Sequence, residues 1–459
     1  MKPFYKDNHN TIYCLDFRKN DLPDESVQCV VTSPPYWGLR KYSGEQELIW
    51  GGDKNCEHQW DIQKISLLHE NRNFQTGTQK EVLASGSPLR HTHKTSELRA
   101  GFCSLCDAWR GAYGLEPQPE MYVEHTLLIL REIRRVLRKD GVVFWDIGDT
   151  YFSNPSNQQG RGQRGSDAGV RAAYENLGRI KRQGNLKPKD LCLIPFRVAI
   201  AAQEDGWWIR SVIIWSKPNP MPESVTDRPT ESHEYILMLT KSARYYWDHQ
   251  AIRETSTEKP SGNISRKENI QPRESHFATS IPYQPNGAGR NIRTVWGFPT
   301  KPGPGKEIRN FAVFPEKLPE ICIKAATPEV GCCSKCGAPW ERILDKKPSD
   351  FNIRVRDAKA GRATPEEGYK ATQEEIDNYP GNHPDPGYRQ TTGWRPTCKC
   401  KGDIGGEVDK VPSIVLDPLA GAGTTLWVAK KLNRRAVGYE ISEEYCQLAV
   451  DRCRQQVLL

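Results

Sequence analysis

A short stretch near the start of the chain combines rigidity with hydrogen-bond acceptors, in the order Thr32-Ser33-Pro34-Pro35-Tyr36-Trp37. It follows the apolar run Cys29-Val30-Val31, which predicts a buried strand ending where two prolines remove backbone donors and fix φ. Ser33 and the carbonyls around Pro34 offer acceptors, and Tyr36 offers a flat aromatic face. Such a loop could hold a planar ring that carries an amino group, as a nucleobase does. The candidate catalytic residues are therefore Ser33, Pro34, Pro35 and Tyr36.

A second stretch, close to the other end of the sequence, could bind a nucleotide-like molecule. The strand-like run Ile414-Val415-Leu416 leads through Asp417-Pro418-Leu419-Ala420-Gly421-Ala422-Gly423-Thr424-Thr425 into a helix-like segment. The glycines let a ligand approach the backbone, and the start of the helix presents free N–H groups. About one strand later, Glu440 stands where a dinucleotide-type site places its ribose-binding carboxylate. The loop lacks the Lys-Ser/Thr pair of a P-loop, so phosphate binding is not implied.

Together the two stretches closely resemble the DNA methyltransferases that methylate exocyclic amino groups with S-adenosylmethionine. In that family a Ser-Pro-Pro-Tyr or Asp-Pro-Pro-Tyr loop holds the base, and an Asp-Pro-x-x-Gly-x-Gly-Thr-Thr loop holds the cofactor. Here the base loop precedes the cofactor loop, which is similar to the beta-type circular permutation of the family. The resemblance implies an α/β fold with a Rossmann-like three-layer methyltransferase sheet. It also implies cofactor contacts from Asp417, Pro418, Gly421, Gly423, Thr424, Thr425, Glu440 and Phe314.

Two positions depart from the family pattern. Tyr13 stands where the family usually carries an acid near the cofactor adenine. Either Asp16 substitutes for that acid, or the adenine is held mainly by stacking. Asn310 replaces the histidine that usually precedes the Phe-Ala pair.

The resemblance implies direct methyl transfer to the amino group of a base that is flipped out of the duplex and stacks on Tyr36. Ser33 and the carbonyl of Pro34 would orient the amino protons. Ser33 favours N4 of cytosine, whereas adenine-N6 enzymes more often carry Asp at this position, so adenine N6 is the alternative. Methylation at carbon 5 of cytosine is disfavoured because it needs a Pro-Cys nucleophile, and none of the 14 cysteines follows a proline.

Functions of other classes stay open beside this one. A zinc-containing DNA-binding protein could keep the same fold as a scaffold without catalysis. RNA could replace DNA as the substrate. A dehydrogenase is disfavoured, because the cofactor loop lies near the C-terminal end and departs from Gly-x-Gly-x-x-Gly.

The cysteines predict metal binding, because a reducing compartment would keep them as thiols. Two Cys-x-x-Cys pairs, at 103–106 and 333–336, are each followed by a tryptophan, and a Cys-x-His or Cys-x-Cys pair could complete each set. The predicted ligands of two structural Zn²⁺ ions are Cys56, His58, Cys103 and Cys106, and Cys333, Cys336, Cys398 and Cys400. The alternative is unrelated thiol pairs, and Cys332 leaves the register of the second set open.

The net charge of +8 favours a polyanionic partner. The sequence has no apolar run of membrane-spanning length and no signal-peptide-like start. We therefore expect a cytoplasmic protein that acts on double-stranded DNA without a membrane, as a monomer or dimer, with a cognate restriction endonuclease as a candidate partner.

These assignments divide the chain into a catalytic core and three inserted segments. The base-binding half of the core is 1–48 and 114–250, and the cofactor-binding half is 311–330 and 411–459. Zinc-ribbon-like insertions occupy 49–113 and 331–410, and a basic, Pro/Gly/Ser-rich target-recognition segment occupies 251–310. Within the core, helical spacing of apolar residues from Val123 to Leu137 predicts an amphipathic helix with Gly141 as its C-terminal cap.

Overall fold

The computed structural model describes residues 1–38, 46–69, 94–152, 186–187, 189–254, 290–300, 314–347, 388–402 and 406–456. Most of the predicted target-recognition segment lies outside these residues. The chain divides into two compact units. The first consists of Met1–Tyr246, Thr294–Ala326 and Ser413–Leu459, and the second of Trp247–Arg293 and Thr327–Pro412.

Strands and helices are numbered in chain order over the described residues. The strands are β1 (Tyr5–Lys6), β2 (Asn10–Cys14), β3 (Val27–Thr32), β4 (Glu47–Trp50), β5 (Trp60–His69), β6 (Lys94–Cys103), β7 (Trp109–Ala112), β8 (Leu137–Ile147), β9 (Trp208–Ser216), β10 (His233–Thr240), β11 (Val295–Gly297), β12 (Cys332–Cys333), β13 (Trp340–Lys347), β14 (Tyr388–Pro396), β15 (Lys410–Val411), β16 (Ile414–Asp417) and β17 (Arg435–Glu440). The helices are α1 (Pro119–Val136), α2 (Ile194–Glu204), α3 (Lys317–Ala326), α4 (Thr424–Lys431) and α5 (Glu443–Cys453).

The first unit is built on a mixed sheet with the strand order β1-β2-β17-β16-β3-β8-β10-β9-β11. Strands β2, β17, β16, β3 and β8 are parallel neighbours, whereas β10 is antiparallel to both β8 and β9. Parallel neighbours end at the same edge of a sheet, where α/β proteins bind ligands. The loops that follow β3 and β16 therefore leave the sheet side by side, although they are far apart in the sequence.

Helices cover both faces of this sheet. Val30 of β3 packs in one apolar cluster with Ile129 and Ile133 of α1, and α1 packs on α2. The neighbouring residue, Cys29, faces Cys322 of α3, and α4 packs with α3 and α5. Because successive strand residues point to opposite faces, the two helix groups lie on opposite sides of the sheet. The mixed α/β architecture with a large central sheet is thus as predicted.

The predicted cap at Gly141 is wrong. Helix α1 ends at Val136, and β8 begins at the next residue and runs through Gly141. A Cβ atom at position 141 would lie 2.6 Å from Leu137 Cδ1 and 3.0 Å from the carbonyl oxygen of Gln28. The glycine is therefore explained by the close approach of β3 to β8 rather than by the end of a helix.

The predicted metal ligands lie at or near the ends of strands in smaller sheets. Strands β4, β7, β6 and β5 form an antiparallel sheet in the first unit, and β13–β14 and β12–β15 form two hairpin-like pairs in the second. Among the described residues, no helix is long and apolar enough to cross a membrane.

Candidate functional site

The loops after β3 and β16 are tied together by buried hydrogen bonds. Thr32 Oγ1, at the end of β3, donates to Asp417 Oδ1, at the end of β16, over 2.7 Å. In the other direction, Thr425 Oγ1 on α4 donates to the carbonyl oxygen of Val31 over 3.1 Å. These bonds fix the proline loop against the glycine loop, so that a molecule bound by one is held next to the other.

A cavity of about 140 Å³ opens between the two loops. It is lined by ten of the twelve predicted base and cofactor residues, namely Ser33, Pro34, Pro35, Tyr36, Phe314, Asp417, Pro418, Gly421, Thr424 and Glu440. The other two, Gly423 and Thr425, lie behind this wall. Gly423 starts α4 with φ of +75°, and a Cβ there would lie 2.8 Å from Ala449 Cβ. The structure therefore groups both predicted sets of residues around one space.

The carboxylate of Glu440 organises the glycine loop. Its oxygens accept the backbone N–H of Gly421 at 3.0 Å and that of Ser442 at 2.9 Å. Burial raises the pKa of Glu440 to about 7, and burial likewise raises that of Asp417 to about 6. Two carboxyl groups that titrate near neutrality at one cavity are typical of a functional site.

Asp16 lies in the cavity wall, whereas Tyr13 stacks on Tyr439 with ring centroids 4.9 Å apart. Arg18 donates to both carboxylate oxygens of Asp16 and lies 3.7 Å above the Trp50 ring. Asp16 thus lines the cavity, and the choice between this acid and stacking as the contact for adenine stays a prediction. Sequence reasoning missed Trp50, which falls inside the predicted insertion yet lines the cavity.

Tyr36 is held at its hydroxyl and by a close approach of its ring to Gly148. Its hydroxyl lies 3.4 Å from Ser33 Oγ and donates to Glu234 Oε2 over 2.6 Å. At the ring, a Cβ at Gly148 would lie 2.6 Å from Tyr36 Cε2. Glycine at position 148 therefore leaves room for the ring beside the backbone that follows β8.

Asp146, near the end of β8, is buried at 1% exposure. Neither of its carboxylate oxygens has a hydrogen-bond partner in the described part of the chain. Burial, together with the nearby charge of Glu234, raises its pKa well above the ordinary aspartate value. Such a carboxyl group favours the protonated form in the folded protein.

The substitution Asp146→Asn is expected to stabilise the protein at pH 8 by about 1–3 kcal/mol, because asparagine has no charged form to desolvate and one unit of pKa shift corresponds to about 1.4 kcal/mol. The raised folded-state pKa means that the contribution of Asp146 is full below about pH 4 and is lost as pH rises through the folded pKa. Asparagine cannot ionise, so the gain in Tm should shrink between pH 8 and pH 5. Thermal unfolding at both values, with the exposed Asp451→Asn as control, measures this. An equal gain at both values, or a loss at pH 8, would contradict it.

The first predicted metal set lies in the first unit. The ligand atoms of Cys56, His58, Cys103 and Cys106 all lie within 4.8 Å of one another. The sulfur atoms of Cys56 and Cys103 are 3.8 Å apart, and Cys106 Sγ is 3.3 Å from His58 Nδ1. A tetrahedron with Zn–S bonds of about 2.3 Å has edges of about 3.8 Å. The four side chains therefore have the spacing that Zn²⁺ requires.

The second set repeats this arrangement within the second unit. The ligand atoms of Cys333, Cys336, Cys398 and Cys400 also lie within 4.8 Å of one another. In both knuckles the first cysteine donates its N–H to the carbonyl five residues on, at 2.8 Å, and accepts from the N–H four residues on. That fourth residue has positive φ in both cases, as Asp107 and Gly337. The two knuckles are thus the same local structure.

In each set the first cysteine of the knuckle favours thiolate, whereas burial raises the pKa of a partner, Cys56 or Cys336, to about 12. Burial acts to raise the pKa of Cys103, but the N–H of Leu105 and the His58 ring overcome it and lower that pKa to about 6. In Cys333 burial is likewise outweighed by backbone N–H groups of Cys336 and Lys335, which lower the pKa to about 7. Thiolate is the form of cysteine that binds metals.

Comparison with known proteins places the chain among DNA-modifying enzymes. The model of a family described as DNA methylase, of the N6/N4 type, matches residues 27–333 and 409–451. The Type II methyltransferase M.Cfr9I of Citrobacter freundii is 35% identical over 306 residues, which cover 67% of this chain and 68% of that protein. The Type II methyltransferase M.XycI of Xanthomonas campestris pv. cyanopsidis is 28% identical over 435 residues, which cover 95% of this chain and 84% of that protein. A solved structure of a cytosine-N4-specific PvuII DNA methyltransferase aligns over all of this chain and 90% of its own, with 13% identity and a TM-score of 0.45, too low to support a functional argument.

Proposed function

Because the chain belongs to the DNA methylase family and is therefore a DNA methyltransferase, we propose that it methylates N4 of a cytosine flipped out of duplex DNA. The observation that carries this proposal is the single cavity shared by the proline loop and the glycine loop. The Thr32–Asp417 hydrogen bond holds the two loops in register. A base in one loop and a methyl donor in the other would meet in that cavity.

We propose S-adenosylmethionine as the methyl donor, since its sulfonium supplies a methyl group that an amine can attack. The residues fit this molecule: the buried carboxylates of Glu440 and Asp417 suit hydroxyl groups and positive charge, and Phe314 offers an apolar surface. Asp16, fixed by Arg18, is our candidate partner for the adenine amino group. The protein's contribution is to hold both reactants in line and to exclude water.

A conjugated amino group is a poor nucleophile, because its lone pair is delocalised into the ring. Ser33 and the carbonyl of Pro34 line the cavity, and as acceptors they would orient the amino protons and favour a tetrahedral nitrogen. Ser33 thus positions the amine and does not attack. The Tyr36 ring, fixed by Gly148 and Glu234, is available as the surface on which the flipped base stacks.

The choice of cytosine N4 rests on Ser33 as the first residue of the loop, with adenine N6 as the alternative. Incubation with methyl-labelled S-adenosylmethionine and unmethylated DNA of mixed sequence, followed by nucleoside mass spectrometry, distinguishes them. N4-methylcytosine is the expected product. N6-methyladenine would keep the mechanism and change the base, and absence of both despite DNA binding would overturn the proposal.

The biological setting that we propose is a type II restriction–modification system, as the names of the relatives indicate. The partner would then be a cognate endonuclease that cleaves the same unmethylated DNA site. We assign target recognition to 251–310. We also propose that the core is circularly permuted in the beta-type manner, because the strand before the base loop precedes the strand before the glycine loop in the sequence while pairing with it in the sheet.

We propose that each cysteine set holds one structural Zn²⁺ and that the two insertions are zinc-ribbon-like. Four protein ligands leave no open position for water, so the metal would stabilise its knuckle and take no part in the chemistry. The matching hydrogen bonds of the two knuckles support the same role for both.

Freshly purified protein is expected to contain about two zinc ions per chain. Cys106→Ser and Cys336→Ser should each lower this to about one, because a tetrahedral structural site loses its metal with its ligand. Plasma mass spectrometry measures zinc content. The matched control is Cys14→Ser, which removes an exposed thiol outside both sets and should retain both ions. Zinc-free protein that is folded and active would remove both assignments.

A further inference from the structure

The Tyr36 hydroxyl forms the middle of a three-residue chain of hydrogen bonds. Ser33 Oγ donates to it over 3.4 Å, and it donates in turn to Glu234 Oε2 over 2.6 Å. The other oxygen of Glu234, Oε1, pairs with the ammonium group of Lys217. The chain thus runs from the cavity wall to an ion pair at the start of β10.

Three titratable groups from different elements lie at the far end of this chain. Glu234 belongs to β10, Lys217 follows β9, and Asp146 belongs to β8. Burial, with the carboxyl groups of Asp146 and Glu234 nearby, raises the pKa of Tyr36 well above its ordinary value. The tyrosine therefore stays protonated and directs its proton to Glu234.

Because Tyr36 donates its proton to Glu234, the hydrogen bond between Tyr36 and Ser33 has a defined direction. When Tyr36 donates to Glu234, its own oxygen is available to accept from Ser33, as the geometry shows. Because its single proton is already engaged, Ser33 Oγ can act toward a molecule in the cavity only as an acceptor. Hydrogen bonds in such a row polarise one another and make the first oxygen a better acceptor.

Resting on the methyltransferase function proposed above, we propose that Glu234 is the terminal proton acceptor of the reaction and acts through Tyr36 on Ser33. When the exocyclic nitrogen bonds to the methyl carbon, the carbon–sulfur bond breaks, the electron pair leaves with sulfur, and nitrogen holds one proton in excess. That proton moves to Ser33 Oγ as the serine proton moves to Tyr36 and the tyrosine proton to Glu234 Oε2. The Glu234 side chain is 15% exposed, so the proton can pass on to water.

Tyr36→Phe and Glu234→Gln test the relay with little change of shape. Phenylalanine keeps the stacking ring and loses the hydroxyl, and glutamine keeps an acceptor for Tyr36 while losing the carboxylate. Each is expected to lower the single-turnover methylation rate by about 100-fold, the scale of general base catalysis. Dissociation constants for DNA and for S-adenosylmethionine should stay within about twofold, since the cavity wall is retained.

The double variant decides between a relay and separate effects. If Ser33, Tyr36 and Glu234 form one path, the double variant should be about as slow as the slower single variant. Rate losses that multiply, or a Tyr36→Phe enzyme with the parental rate, would overturn the relay. The matched control is Tyr5→Phe, which removes a hydroxyl bonded to Asp7 outside the cavity.

The methylation activity of the parent enzyme distinguishes failure of the proposed function from failure of the relay. If it yields no methylated base, the proposed function fails. If it methylates DNA and the variants do so equally fast, only the relay fails. Unfolding temperatures and zinc content of each variant show that a lost rate does not reflect a lost fold.

Discussion

Ser33→Ala is expected to lower the single-turnover rate of methyl transfer by about 10²–10³-fold, the effect of removing one preorganised polar contact from a transition state. The hydroxyl lies in the cavity wall and is the first oxygen of the row that includes Tyr36. Alanine would leave the amino group of the base unoriented and the nitrogen planar. Rapid quenching at saturating DNA and cofactor measures this rate directly.

The affinity for S-adenosylmethionine should change little in Ser33→Ala, because that molecule is assigned to the glycine loop. Ser26→Ala is the control, since Ser26 is hydrogen-bonded to Pro23 outside the cavity. A Ser33→Ala enzyme with full rate would show that the proline loop does not hold the reacting amine. A weakened affinity with an unchanged rate would place Ser33 on the cofactor side instead.

Glu440→Ala is expected to raise the dissociation constant of S-adenosylmethionine by about 100-fold. Its carboxylate holds the N–H groups of Gly421 and Ser442, so its removal frees the glycine loop to leave the conformation that would bind the cofactor, and binding must then restore that order. Each 1.4 kcal/mol corresponds to about tenfold in affinity. Loss of the carboxylate also removes the contact proposed for the cofactor ribose. Isothermal titration calorimetry gives the constant.

Two further variants make the Glu440 prediction specific. Glu440→Gln retains one acceptor oxygen and should bind more tightly than Glu440→Ala. Glu443→Ala removes an exposed carboxylate three residues away, in the first turn of α5, and should bind as the parent does. Equal affinity in the parent and in Glu440→Ala would mean that the glycine loop is organised without this carboxylate.

The sequence was sufficient to select the two loops as candidates because their proposed roles depend on local chemistry. Two prolines after a strand fix a loop wherever it lies, and glycines before a helix open its N-terminus. The grouping of the metal-ligand candidates was also predictable from the sequence, because the structure brings each predicted group of four side chains together. Zinc itself, and the roles assigned to the loop residues, stay predictions until they are measured.

Contacts between strands distant in sequence could not be predicted in the same way. Glu234 meets Tyr36 because β10 pairs with β8 in a register that places Ile236 opposite Asp146. Periodicity along one strand fixes which face each side chain takes, but it does not distinguish registers that differ by two residues. Gly141 was misassigned for a related reason. A glycine after a helical pattern usually ends the helix, but here the approach of another strand explains it.

The Thr32–Asp417 hydrogen bond joins residues that are 385 positions apart. During synthesis on the ribosome, the base loop is therefore made long before the strand that completes its cavity. Strand β3 must wait for β16 to pair beside it, and such distant pairings slow folding. A nascent or prematurely terminated chain would carry the proline loop without the glycine loop, and it could not modify DNA.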